Sequence, residues 1–477
     1  MRWKKQRSAV AYAFTAAALA ESKPRVLEVA GAMAASLDKL CEREGQGGVE
    51  IDVMELAKMF TMQVFGKVAL GFDFELISDH DDYTSFGSNN TAPDNKKHND
   101  LKVIEPSTEA KAFEFLLNDL SVRCAPTSMF NPGLQFYCMP TRYNREYHTN
   151  IKIVRDLIHR IIDNGKKEAL ADEKQQGQHQ QSSKINENGT TTIHANGSST
   201  NTSNGTHKKK RDNMLTHIIR SNDDVSPDYL TKIITTLLFA GYETTAISIA
   251  FVLYNLSMNP RCQERVTEEA RRVLGNHQQH SMTDIKEDDL KYTTAVFNEA
   301  MRLCPAVLQS ARDAQKPIKL EGYTIPVGTR IFIPMTKVHT DERNFERPLE
   351  FLPERWVKWE EGTWVERDPE KEEGDGTSSC CGGVAGPKSM SSQYQQQNEH
   401  AETISAANLS YFFAFSGGAR NCVGKRLATM EATIMIATLI KDFVVDRDME
   451  QPLDMKRRLV SYYPTTLPLI FRRRKCS

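Results

Sequence analysis

Residues 415–424 read Phe-Ser-Gly-Gly-Ala-Arg-Asn-Cys-Val-Gly and deliver one cysteine, Cys422, to the start of an apolar segment. That segment predicts a helix from Val423 to about Ile440. A thiolate at a helix N-terminus is stabilised by backbone N–H groups and the helix dipole, so it can stay ionised as a metal ligand. Gly417 and Gly418 allow a tight turn, and Gly424 lets a flat ligand come close to the backbone. Arg420, two residues before the cysteine, is a permanent cation placed to hold a carboxylate. A buried cysteine in a glycine-rich turn is the commoner fate of a lone cysteine. Here Phe415, Gly418, Arg420, Cys422 and Gly424 fix five positions. At ~5% per residue type, a chance match in such a chain has odds on the order of one in ten thousand.

Each part suits a cysteine bound to the iron of a haem, whose propionates are carboxylates. The pattern Phe-x-x-Gly-x-Arg-x-Cys-x-Gly resembles the haem-binding loop of the cytochrome P-450 family, the haem-thiolate monooxygenases. Four further segments resemble that family's motifs, in the family's order. Trp3-x-x-x-Arg7 places an indole and a guanidinium one helical turn apart, within residues that predict a helix over 2–20. The resemblance makes this the helix whose tryptophan and basic residue hold a haem propionate. Glu299-Ala-Met-Arg302 sets a carboxylate and a guanidinium on one face of a largely apolar helix. Phe351-Leu-Pro-Glu-Arg-Trp356 supplies Arg355, which in the family joins Glu299 and Arg302 in a network behind the haem loop. A buried charged cluster has to be mutually satisfied, so losing one member should cost far more than losing a surface bridge.

The fourth segment is the longest apolar stretch, predicted as a helix from about Pro227 to Met258. Its length could span a bilayer. Its centre, however, reads Ala240-Gly241-Tyr242-Glu243-Thr244-Thr245, and a glutamate with two threonines is costly in mid-membrane without partners. The resemblance gives this stretch another sense, as the family's oxygen-binding groove. Gly241 then lets the helix pass close to the porphyrin, local loosening leaves room for dioxygen, and Thr244 and Glu243 relay protons. Arg312, ten residues after Arg302, aligns with a position that binds the second propionate. The C-terminal stretch from Arg457 to Phe471 resembles a hairpin whose tip, Ser461 to Tyr463, enters the pocket.

With 61 basic against 62 acidic side chains and a net charge of −1, the chain gives no sign of a nucleic-acid partner. Its nine cysteines have no C-x-x-C spacing, which sets aside a zinc site or a disulfide framework. Two polar tracts, 171–211 and 360–402, cannot bury enough apolar area to offset the entropy of ordering and are expected to be disordered insertions. The rest of the 477 residues reads as one domain.

The resemblance implies a mainly α fold with small β-sheets, binding haem b (iron protoporphyrin IX) between the long helix and the cysteine loop. It implies Cys422 as the iron ligand and Phe415, Gly418, Arg420, Gly424, Trp3, Arg7, Arg312 and Gly241 as cofactor contacts. The implied reaction inserts one oxygen atom of O2 into an apolar, lipid-like substrate. Electrons come from an NADPH-dependent partner reductase, since no flavin or nicotinamide fingerprint is present. A haem-binding but non-catalytic protein, or one rearranging peroxides, is the alternative. In the family an anchor and part of the pocket precede the tryptophan helix, so the chain reads as N-terminally truncated. A full-length form is expected at the cytosolic face of the endoplasmic reticulum membrane.

Overall fold

The computed structural model describes residues 7–77 (apart from Ala9), 108–124, 141–185, 213–220, 226–275, 289–360, 363–367, 409–458 and 461–474. The predicted helix over 2–20 is not continuous. After a 3-10 turn at Tyr12–Phe14 the backbone extends at Thr15, whose side chain accepts from Ala18 N and caps helix α1, Ala16–Glu44. Val26, Val29, Ala30, Met33 and Leu37, spaced three and four apart, form the buried stripe of α1. Strand β1 (Val49–Asp52) leads into α2 (Val53–Phe65), capped by Asp52, and one π turn, Gly66–Leu70, prolongs α2.

Helices α3 (Thr108–Cys124) and α4 (Arg142–Ile185) follow; Pro126, Pro132 and Pro140, between them in the sequence, lie outside the described residues. Helix α4 runs into the tract expected from 171 to 211 to lack order. Its continuation, Ala171-Asp-Glu-Lys-Gln-Gln, consists mostly of good helix formers. Extending an existing helix needs no new nucleus and no apolar face. Residues 186–211 lie outside the described residues.

Next come α5 (Met214–Arg220), α6 (Pro227–Met258), α7 (Pro260–Leu274) and α8 (Lys291–Leu303). Helix α6 spans the length its apolar run predicts. Ser226 caps it by accepting from Tyr229 N, Pro227 opens it, and Pro260 begins the following helix. It is long and apolar enough to cross a membrane, yet 67% of its most apolar window is buried inside the protein. It packs on α2, α4 and α8 and therefore forms the centre of the core.

Beyond α8 the chain makes β2 (Gln309–Asp313), β3 (Ile318–Leu320), β4 (Tyr323–Ile325), β5 (Arg330–Pro334) and a short α9 (Met335–His339). Strands β2 and β5 pair antiparallel, as do β3 and β4, around the Glu321-Gly322 turn. Strands β6 (Val357–Glu360) and β7 (Thr363–Glu366) form another hairpin. The second polar tract, expected to run from 360 to 402, therefore includes strand β7. Trp364 of β7 is buried against Tyr292, with ring centroids 4.6 Å apart, and the Arg265 guanidinium lies 5.4 Å from its ring. Residues 368–408 lie outside the described residues.

Helix α10 (Lys425–Asp442) leads into β8 (Phe443–Asp446), then β9 (Met455–Arg458), β10 (Ser461–Pro464) and β11 (Pro468–Arg473). The C-terminal hairpin comprises only β9 and β10, so Ser461 to Tyr463 lie within a strand rather than at its tip. Strand β11 leaves it to pair with β1 and β8 in the one three-stranded sheet among the described residues. The fold is mainly helical with small antiparallel sheets, as the sequence predicted.

Candidate functional site

The cysteine loop lies between the Leu409–Tyr411 turn and α10. Its backbone closes through Ser416 N to Phe413 O at 2.7 Å and Cys422 N to Phe415 O at 2.9 Å. The left-handed residues are Ser416 (φ 58°) and Gly418 (φ 69°); Gly417, expected to share the turn, is extended. Among the loop's glycines, Gly418 is the one whose backbone itself favours glycine. The Phe415 ring is half-buried, 6.3 Å from Phe297 and 5.6 Å from the Lys425 ammonium.

The side chain of Cys422 opens on the loop surface. The chain packed behind it pushes the thiol up. The N–H groups of Gly424 and Lys425, at the start of α10, pull it back, as do the charges of Arg7 and Lys425. A metal cation on the sulfur would displace the proton outright. A Cβ at Gly424 would stand 3.9 Å from both Cys422 Sγ and Phe14, an ordinary contact, so the protein packing alone does not require glycine there.

Two arginines far apart in the sequence reach the loop, one 414 and the other 104 residues upstream of its partner. Arg7 donates to Asn421 O at 2.9 Å and to Asn421 Oδ1 at 2.6 Å. Arg312, on β2, donates to Ser416 Oγ at 3.1 Å and to Ser310 Oγ at 2.6 Å. Arg420 is exposed beside Cys422, and Trp3 lies outside the described residues.

Behind the loop, Glu299, Arg302 and Arg355 meet and are buried to within 1% of complete exclusion from solvent. Arg302 donates to Glu299 from Nε (3.0 Å) and Nη2 (2.8 Å), and Arg355 Nε donates to Glu299 Oε1 at 3.0 Å. Trp356 Nε1 and Leu352 N complete the carboxylate's partners, each at 3.0 Å. Further guanidinium N–H groups reach carbonyls, Arg302 those of His339, Pro348 and Glu350, and Arg355 those of Glu346 and Arg347. With both guanidiniums sharing the Glu299 carboxylate and most of their N–H groups bonded, the cluster is satisfied in the way that lets buried ions be tolerated. The sequence pointed to the three charged members. Trp356, Ser416, Asn421 and His339 were missed as partners; Trp356, Ser416 and Asn421 lie inside the quoted motifs, which was the available signal.

On α6 the Thr244 hydroxyl donates to Ala240 O at 2.7 Å, and Glu243 is buried. The helix stays continuous here, so the expected loosening is limited to this competition for one carbonyl. A Cβ at Gly241 would come within 2.9 Å of the Phe65 ring. Among the described residues, the contact that demands glycine here is therefore with α2.

Glu431 of α10 is fully enclosed, hydrogen-bonded by Thr245 of α6, and its Oε2 has no partner. Burial pushes its carboxyl up from 4.5 to about 8, so it stays protonated at neutral pH. The folded protein thus binds more protons than the unfolded chain between these values, and stability falls as pH rises through that window. Glu431→Gln should remove this dependence and raise stability at pH 7 by roughly 3 kcal/mol. Melting temperatures of both proteins at pH 5 and pH 8 check this; an equal drop in the two would exclude Glu431 as the group responsible.

A family model described as Cytochrome P450 matches residues 1–469. The chain belongs to the cytochrome P450 family. Among curated P450 relatives, "Probable cytochrome P450 12c1, mitochondrial" of Drosophila melanogaster is 29% identical over 239 residues, covering 50% of this chain and 38% of the relative. Human "Cytochrome P450 4X1" is 27% identical over 260 residues, with 54% and 42% covered. The rat "1,25-dihydroxyvitamin D(3) 24-hydroxylase, mitochondrial" is 27% identical over 256 residues, with 54% and 41% covered. The chain thus spans about two fifths of the length of the P450 relatives it matches. The P450 family implies a haem-thiolate cofactor, and the side chains present fit one. They offer a surface-facing thiol at a helix start, with two guanidiniums tied to the same loop.

Proposed function

We propose that this P450 is a monooxygenase that inserts one atom of dioxygen into an apolar, lipid-like substrate, the other atom leaving as water. The observation that carries the reading is Cys422, held open on its loop with Arg7 and Arg312 tethered to the loop's two flanks. Cys422 would ligate the haem iron. Arg7 and Arg312, with Trp3 and Arg420, would hold the propionates. Phe415, Gly418 and Gly424 would shape the loop against the ring, and Gly241 would lie along its other side. Bound haem supplies the activation of dioxygen and the oxidising step, favoured by the electron donation of a thiolate ligand.

The protein's own part is binding, orientation and proton handling. Glu243 and Thr244 would deliver protons on the α6 side, which a general acid–base relay makes worth ~10²–10⁴-fold. The electrons would come from an NADPH-dependent reductase. The hydroxylation named for the rat relative supports this reaction class. Relatives named as mitochondrial stand beside others without that label; the membrane proposed here is that of the endoplasmic reticulum, with a mitochondrial one as the competing outcome.

Two measurements test the proposal. Reduced holoprotein under carbon monoxide should show the red-shifted band of thiolate-ligated haem, and an unshifted, histidine-like band would overturn it. With reductase, NADPH and isotopically labelled dioxygen, the product should carry one labelled atom. Thr244→Ala should keep the band but divert most electrons to peroxide or water. An unchanged product yield per NADPH would remove Thr244 from the proton path.

A further inference from the structure

His339 closes α9 and is fully buried. Its Nε2 accepts the Phe413 N–H at 2.9 Å. A backbone N–H can only donate, so Nε2 is bare and the proton sits on Nδ1, 3.1 Å from the Arg302 carbonyl that receives it. Arg302 in turn donates Nη1 to the His339 carbonyl at 2.8 Å, which cross-links the two residues in both directions. On the far side, Phe413 O holds Ser416 N and Phe415 O holds Cys422 N. The imidazole is thus a two-ended connector with the buried carboxylate network on one end and the cysteine loop on the other. Phe412 stacks on its ring at 5.6 Å, and Trp356, itself bonded to Glu299, packs on Phe412 at 4.8 Å.

We propose that His339 is a positioning residue for the cysteine loop. Its imidazole relays the placement of the Glu299–Arg302–Arg355 network to Cys422 through the hydrogen bond accepted from Phe413. The effect on the iron rests on the reading of Cys422 as its ligand; the effect on the loop does not. Burial keeps the imidazole neutral, pushing it down to about 4, so the accepting nitrogen stays bare throughout the neutral range.

Three variants separate the imidazole's two bonds. His339→Gln carries an amide oxygen out to the level of Nε2 and can still accept from Phe413. His339→Asn offers a donor near Nδ1 for Arg302 but stops short of Phe413. His339→Phe keeps the stacked ring and makes neither bond. Hydrogen exchange of the Phe413 amide is measured in the full chain, with and without haem, alongside the lifetime of the red-shifted carbon monoxide band. The glutamine variant should behave as the parent does. The asparagine and phenylalanine variants should lose about tenfold in protection, the equivalent of one hydrogen bond, and their band should convert faster to the unshifted form.

Parent-like protection in the asparagine variant, or equal damage in the glutamine and asparagine variants, overturns the proposal. If the two damaging variants do not fold, nitrogen chemical shifts of the parent's His339 decide, since a proton found on Nε2 refutes the bond to Phe413. A parent lacking the red-shifted band refutes the role of Cys422 instead, and the haem-free exchange data still judge His339.

Discussion

Glu299→Ala should leave a chain that barely folds. The carboxylate receives hydrogen bonds from Arg302 Nε, Arg302 Nη2, Arg355 Nε, Trp356 Nε1 and Leu352 N, all between 2.8 and 3.0 Å. Alanine would strand two guanidiniums that solvent does not reach. Removing one partner of a buried ion pair typically costs ~3–5 kcal/mol, and here one carboxylate serves two cations. Whole proteins are stable by only ~5–15 kcal/mol, so little would remain. Glu299→Gln keeps the shape and can still accept, so it should fall between the parent and alanine. Soluble yield and denaturant midpoints decide. An alanine variant as stable as the parent would mean that the network sets position without adding stability.

Cys422→Ala should abolish the red-shifted carbon monoxide band and reduce product formation below detection. The loop itself should survive. Its closure runs through backbone bonds, Cys422 N to Phe415 O and Ser416 N to Phe413 O, which alanine keeps. The loss would therefore fall on iron ligation and not on folding, unlike that of Glu299→Ala. Far-ultraviolet circular dichroism should match the parent while the haem spectrum does not. Retention of the red-shifted band by the alanine variant would exclude Cys422 as the ligand.

Both groups of residues were legible because their members lie in short, contiguous runs. Residues 415–424 carry five informative positions in ten, and Glu299 and Arg302 sit one helical turn apart. What stayed hidden depends on distant backbone. His339 works through a carbonyl 37 residues away and an N–H 74 residues away, neither of which leaves a side-chain signature. Arg7 finds Asn421 across 414 positions. At Gly241 the motif offered a reading toward the ligand, whereas the close neighbour is Phe65, from a helix that nothing in the motif names. The break at Thr15 was missed because alanine-rich sequence on both sides carries the helical period through a residue whose hydroxyl prefers to cap. In both polar tracts, composition measured the lack of a core. It did not weigh the helix propensity that extends α4, or the Trp359–Trp364 pair that pins β7 at 5.0 Å.

The network behind the loop also bears on the order in which the chain assembles. Its long bonds join residues 53 to 57 positions apart, so each waits on the closure of a sizeable loop before it forms. Every residue of that cluster, from Glu299 to Trp356, precedes Cys422 in the chain. A nascent polypeptide emerging at ~5–20 residues per second would expose the whole receiving framework seconds before the thiol leaves the ribosome. The Cys422 sulfur would then arrive at a seat already built, with little time as a naked nucleophile in a half-made protein.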